Sequence, residues 1–233
     1  MKRFRFRYKE TIVTVITESE EHFKVAVEAI LEARSEIERY IKLDPYFLIS
    51  YEPMDCDGEV VGRMCKASKI ARVGPMAAVA GTIAAYAVEK MIENGAKIAI
   101  VDNGGDIAIH SSREIVVGVY PANIAFKIKP KHIYAVCTSS GKIGHSVSFG
   151  YADAVTVFAE DASIADALAT ALCNKIKEDF SAEDVKRVVE DFWIEFRDYA
   201  DGFFVAKGNV FAFAGKIPEV IRAEIKPDLI TKG

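Results

Sequence analysis

Residues 97–111 read Lys-Ile-Ala-Ile-Val-Asp-Asn-Gly-Gly-Asp-Ile-Ala-Ile-His-Ser, and their pattern sets the fold class. Two β-rich runs, Lys97–Val101 and Ile107–Ser111, are joined by Asp102-Asn103-Gly104-Gly105-Asp106. Asn-Gly-Gly is hairpin-turn chemistry, because glycine takes positive φ without a steric clash, so the second run returns antiparallel to the first. Similar pairs recur toward the C-terminus. Asp201-Gly202 and Gly208-Asn209 separate Phe192–Tyr199, Phe203–Lys207 and Val210–Ala214, the spacing of a meander. Further strands are expected at 2–8, 11–17, 115–120 (continuing the sheet), 133–137 and 154–158, with a short one around 47–51. Hairpins outnumber strand–helix–strand units, which makes this an α+β chain: a largely antiparallel sheet packed with helices.

The helices are marked by apolar spacing and caps. Phe23, Val27, Ile30, Ile37 and Ile41 recur at helical intervals to about Lys42, behind Thr17 and Glu20 at capping-box distance. Pro75 and Gly95 suit the first position and the C-terminal cap of a helix over 75–93. Its small residues, Ala77, Ala78, Ala80, Gly81, Ala84 and Ala85, admit either a flat ligand or a closely packed neighbour. Asp161 is placed to cap a helix over 162–177, and a short helix follows Ser181. The stretch 44–62, with Pro45, Pro53 and Gly58, reads as irregular connection. No repeat, linker or low-complexity tract interrupts the 233 residues, so a single domain is expected.

Composition narrows the function classes. Net charge is −4, which gives no extended surface for a nucleic-acid backbone. Arg3, Arg5 and Arg7 alternate with Phe4, Phe6 and Tyr8, the pattern of a half-buried strand with a wet basic face rather than an RNA-binding arm. No apolar run approaches the roughly 18 residues of a membrane span, and no signal-peptide block opens the chain, so a cytoplasmic protein is expected. The four cysteines (Cys56, Cys65, Cys137, Cys173) are too few and scattered for a disulfide framework and contain no CxxC, so free thiols are expected. Glutamine is absent while lysine and glutamate abound, a hyperthermophile tendency.

Four segments place polar residues among apolar ones. Asp102–Asp106 serves as a turn, or as a place where bare backbone N–H groups meet a ligand. Cys137-Thr138-Ser139-Ser140-Gly141 ends a strand in hydroxyls able to bond phosphate or carbonyl oxygens; an ordinary polar loop has the same composition. His145, in Gly-His-Ser-Val-Ser-Phe-Gly, has the right chemistry for proton transfer near neutrality, as does many an exposed loop histidine. In Ala165-Asp166-Ala167-Leu168-Ala169-Thr170-Ala171-Leu172, Asp166 and Thr170 lie one helical turn apart on an otherwise apolar stretch. A carboxylate in that company needs a partner: either the Thr170 hydroxyl, or a hard cation such as Mg²⁺ or Ca²⁺ held by both.

In this order, Asn103-Gly104-Gly105-Asp106, Thr138-Ser139-Ser140-Gly141, His145, Val155-Thr156-Val157 and Ala165–Leu172 resemble the ApbE family over roughly residues 70–175. Those enzymes move FMN from FAD, through phosphate, onto a threonine or serine of a target protein with a divalent metal. The resemblance implies an ApbE-like fold, with Asp166 and Thr170 as metal ligands. It places Asn103, Gly104, Gly105, Asp106, Thr138, Ser139, Ser140 and Gly141 around FAD or a related nucleotide. It makes His145 the group that assists the acceptor hydroxyl, and an acceptor protein the partner. The transferases carry a Lys-Gly-aromatic stretch and a helix aspartate where this chain has Arg72-Val73-Gly74-Pro75-Met76 and apolar residues. They follow their histidine with Asp-Pro-x-Ser/Thr-Gly, where this chain has Ser146-Val147-Ser148-Phe149-Gly150. The chain is thereby most similar to a branch of archaea and anaerobic bacteria marked by Gly74-Pro75-Met76-Ala77-Ala78. Two functions stay open: transfer or pyrophosphate cleavage, and non-catalytic flavin or metabolite binding in anaerobic sulfur or redox metabolism.

Overall fold

The structure is a computed structural model and describes residues 1–141, 150–224 and 231. Eight strands form the main sheet: β1 Lys2–Tyr8, β2 Thr11–Thr17, β3 Ile98–Asn103, β4 Asp106–Ser111, β7 Tyr134–Ser139, β8 Ala154–Ala159, β9 Gly202–Lys207 and β10 Val210–Gly215. They lie in the order β1-β2-β3-β4-β7-β8-β9-β10. Every neighbouring pair is antiparallel. The α+β class read from the hairpins is thus the observed one. β5 Ile115–Val119 does not continue this sheet as expected. It pairs with β6 Ile124–Ile128, which pairs with β11 Glu219–Arg222, in a separate three-stranded sheet.

Strand alternation divides the interior. On one face of the main sheet Val13, Val15, Ala99, Val101, Ala108, Ala135, Cys137, Val155 and Val157 pack under the helices. On the other, Ile98, Ile100, Ile109, Val136, Phe158 and Phe204 meet Val117, Val119 and Phe126 of the small sheet. The helices are α1 Glu20–Leu43, α2 Tyr46–Ile49, α3 Val60–Ala71, α4 Val79–Glu93, α5 Ala162–Lys175 and α6 Ala182–Phe196. A 3₁₀ turn, Pro75–Ala78, precedes α4. No single helix among the described residues is long and apolar enough to cross a membrane.

Several local expectations are corrected. Ser19, not Thr17, caps α1, its hydroxyl accepting from the His22 amide, because Thr17 still belongs to β2. In place of the strand expected around 47–51, Tyr46–Ile49 form the short helix α2, started by Asp44 accepting from the Tyr46 amide and anchored by fully buried Phe47. The stretch taken as connection to residue 62 already contains the start of α3, whose Val61, Met64, Cys65, Ser68 and Ala71 are buried. Phe192–Tyr199 is no strand: Val185, Val189, Phe192 and Phe196 line the buried face of α6, which runs on to Phe196. Cys56 and Cys65 form a disulfide rather than the expected free thiols, tying the loop before α3 to that helix, while Cys137 and Cys173 are buried thiols.

Candidate functional site

The tip of the β3–β4 hairpin is glycine for a backbone reason. Gly104 has φ +71° and Gly105 φ +109°, a region that side chains disfavour. The Asp102 Oδ1 accepts the Gly105 N–H at 2.9 Å, and the Gly105 carbonyl accepts the Thr138 N–H at 3.2 Å, so the turn is joined to the end of β7. Alternation then sends neighbouring side chains to opposite faces. Asn103 lies on the helix side, where its amide donates to the Ala80 carbonyl at 3.2 Å. Asp106, two residues before Ala108 on β4, shares that side.

Across from these residues, α5 packs on α4. Ala78, the residue before α4, offers no capping side chain; the Met76 carbonyl takes the Val79 amide, and the Ala80 and Gly81 amides find their acceptor outside the helix. Asp166 supplies one from another helix: its Oδ2 accepts the Gly81 N–H at 2.8 Å. A methyl group in place of the Gly81 hydrogen would lie 2.2 Å from the Ala162 carbonyl oxygen and 2.8 Å from the Asp166 Cβ. Of the two uses open to the small residues of α4, Gly81 thus serves close helix packing. Asp166 and Thr170 are both buried, at 7% exposure each.

The charges at this junction are poorly compensated. Burial pushes the Asp166 carboxyl up to about 7, against the bonds from the Gly81 and Ala80 amides. Burial, then the charges of Asp166 and Asp102, hold the Asp106 carboxyl well above the usual carboxylate range. The Cys137 thiol, between these carboxyls, is pushed up by burial and by both of them. The Asp106 Oδ1 and the Ser139 Oγ are buried without a hydrogen-bond partner, the kind of vacancy that native interiors rarely leave. Asp106, Cys137, Ser139 and Asp166 therefore converge under the helices.

The remaining candidates lie elsewhere. Thr138 points to the opposite face, where its hydroxyl shares a 3.0 Å bond with Thr156. Ser140 and Gly141 follow the end of β7 at Ser139. A side chain at Gly141 would lie 1.7 Å from the Gly150 carbonyl oxygen, and one at Gly150 1.7 Å from that of Cys173. Gly141 and Gly150 are thus close to each other, and Gly150 lies against the C-terminal part of α5. His145 itself lies outside the described residues. Sequence reading missed the Gly81 amide as the partner of Asp166; the uncapped, alanine-rich start of α4 was its signal. It also missed Thr231, whose hydroxyl bonds Asp102, and no local pattern announces that contact.

A carboxylate and a hydroxyl are donors for a hard cation. Among the described residues no group of three His, Cys, Asp or Glu side chains could hold a metal alone. The orphaned Asp106 oxygen and the raised Asp166 carboxyl nevertheless fit a cation that takes further ligands from substrate phosphates. Two surface cavities, of about 500 and 400 Å³, are lined by other residues.

Comparison with known proteins bears on the fold and the family. A family model described as "AbpE bacteria" matches residues 1–191. A UPF0280 protein of Archaeoglobus fulgidus is 62% identical, with 100% of each chain covered. That of Methanothrix thermoacetophila is 46% identical, also with 100% of each covered. Among solved structures, the flavinyl transferase ApbE of Pseudomonas stutzeri superposes with a TM-score of 0.57 at 15% identity, over 91% of this chain and 93% of that one. The ApbE protein of Thermotoga maritima does so with 0.56 at 16% identity, over 100% and 99%. The likeness to these structures is one of fold. The family match and the archaeal relatives go further: the chain belongs to the ApbE-like superfamily, within the family that the "AbpE bacteria" model describes.

Proposed function

We propose that this protein binds a flavin nucleotide, FAD or a close relative, together with Mg²⁺ or Ca²⁺, and acts slowly on its pyrophosphate. The observation that carries the reading is a pair of carboxyls, that of buried Asp166 and that of half-buried Asp106, brought from α5 and β4 to one place with the buried Asp106 Oδ1 unpartnered. Asp166 and Thr170 would hold the cation, which supplies charge neutralisation at the phosphates when bound. The chain's own residues do the rest. The Gly104–Gly105 turn presents backbone without side-chain bulk, Ser139 offers a hydroxyl, and the α4–α5 packing fixes the Asp166 carboxyl through the Gly81 amide. His145 is the residue assigned to proton transfer. A mass spectrum of the protein as purified, together with calorimetric titration by FAD with and without Mg²⁺, tests this reading. Cation binding tightened by FAD is expected; no FAD binding in either condition would remove it.

A second reading has one sequence observation in its favour. His145 is followed by Ser146-Val147-Ser148, with no carboxylate to orient an imidazole or stabilise its charged form. The same residues then hold a ligand without turnover, as an accessory to redox metabolism.

A further inference from the structure

Asp102 faces away from Asp106 and Asp166, on the other side of the sheet, yet it is tied to the same hairpin turn. Its Oδ1 accepts the Gly105 N–H at 2.9 Å, and its Oδ2 accepts the Thr231 hydroxyl at 2.5 Å. Thr231 is 9% exposed and 129 residues away in sequence. It also shares a 2.9 Å bond with the hydroxyl of Thr14, which is 1% exposed. A hydroxyl has a single proton to give. Since that of Thr231 goes to Asp102, Thr14 is the donor to Thr231. The result is a directed relay from β2 through Thr231 to Asp102 and on to the turn.

We propose that Thr231 is a positioning residue of the candidate nucleotide site, holding the Asp102 carboxyl whose other oxygen sets the Gly104–Gly105 turn. The inference rests on the nucleotide reading given above and adds a residue to it. Two consecutive glycines at positive φ have wide conformational freedom, so the turn keeps one shape only if something outside it selects that shape. The Asp102 bond does so, and the Gly105 carbonyl passes the restraint to the Thr138 amide at the start of the Thr138–Gly141 hydroxyl segment. Without Thr231 the carboxyl keeps the charge of Arg3 nearby but loses its hydroxyl donor, and it is free to leave the Gly105 amide.

The test uses the full chain with Thr231→Val, which removes the hydroxyl at nearly constant volume, and Thr231→Ser, which keeps it. Amide hydrogen exchange at Gly105 is followed by NMR in the free protein. FAD affinity is measured by calorimetry with Mg²⁺ present, and Tm is recorded for each variant. A bond to a charged group of ordinary strength predicts about tenfold faster Gly105 exchange and about tenfold weaker FAD binding in Thr231→Val. Thr231→Ser should stay within about twofold of wild type in both, because the donor survives. The inference is overturned if Thr231→Val binds FAD as tightly as wild type, or if Thr231→Ser fails to rescue affinity while matching wild type in Tm. A wild-type protein that binds no FAD overturns the nucleotide reading itself, and the wild-type titration tells that failure from the other two.

Discussion

The Asp166 carboxylate accepts the backbone N–H of Gly81 at 2.8 Å, a bond between helices whose partners are 85 residues apart. It fixes the start of α4 to α5 at the point where the hairpin of β3 and β4 reaches the helices, since Asn103 bonds the adjacent Ala80 carbonyl. A side chain argued from sequence to serve a cation therefore also caps a helix from a distance. Both uses are compatible, because a carboxylate has about four acceptor positions.

Gly81→Ala tests that junction. The added methyl group meets the Ala162 carbonyl oxygen at 2.2 Å, and that is backbone which cannot rotate aside. The helices must separate, at a cost of about 1–3 kcal/mol despite the better helix propensity of alanine. Urea unfolding should show a lower midpoint with an unchanged slope. Wild-type stability would mean that the two helices are not in close contact at this position.

The pH dependence of stability follows from Asp166. Its folded carboxyl is raised to about 7 from an ordinary 3.8, so the folded chain keeps a proton that the unfolded chain has released. The stability linked to that proton is present below about pH 4 and is lost as pH rises through about 7. In the presence of a chelator, Asp166 should contribute a loss of about 2–4 kcal/mol across this window, read as the difference between wild type and Asp166→Asn. Asp166→Asn should lose less, the remaining slope coming from Asp106, whose carboxyl is shifted the same way. Added Mg²⁺ together with FAD should raise wild-type stability at pH 8 more than that of Asp166→Asn. Equal pH slopes in the two proteins would remove Asp166 as their source.

Transfer to an acceptor in trans should be poor. Cation and positioning alone do not complete the reaction; the acceptor hydroxyl must also be aligned and deprotonated. With FAD, Mg²⁺ and a threonine-containing acceptor peptide, we expect little FMN transfer and slow release of FMN and AMP with water as acceptor. Mass spectrometry of the peptide and chromatography of the nucleotides check this. Efficient labelling that disappears in His145→Ala would contradict it.

The Cys56–Cys65 bridge closes a short loop, its cysteines separated by 9 in sequence. Loop-closure entropy for about ten residues gives about 2–3 kcal/mol of stabilisation. Reduction should therefore lower Tm, and Cys56→Ser should match the reduced wild type and be indifferent to reductant. A reductant-insensitive wild type would show that the bridge does not form.

Much of the fold was legible because its signals are local. The Asp102–Asp106 turn, the Asp161 cap and the Ala165–Leu172 pattern each sit within a few residues, and each led to its element: the β3–β4 hairpin and α5. The failures are equally local in origin. Phe192 and Phe196 suit a strand by composition, and only their spacing with Val185 and Val189 assigns them to α6. Phe47 draws residues 46–49 into a helix by burial that no neighbouring residue encodes.

By itself the sequence determined the antiparallel hairpins, the polar segments and the residue types able to serve a cation and a nucleotide, since turns, caps and periodicity are properties of neighbouring residues. Tertiary structure alone decided how those residues are divided. Alternation across β3 separates Asn103 from Asp102, so that one joins the helix junction and the other the Thr231 relay. Close packing at Gly81 decided the partner of Asp166. Contacts across 85 and 129 residues depend on strand register and helix packing, which are set only when the whole core is assembled.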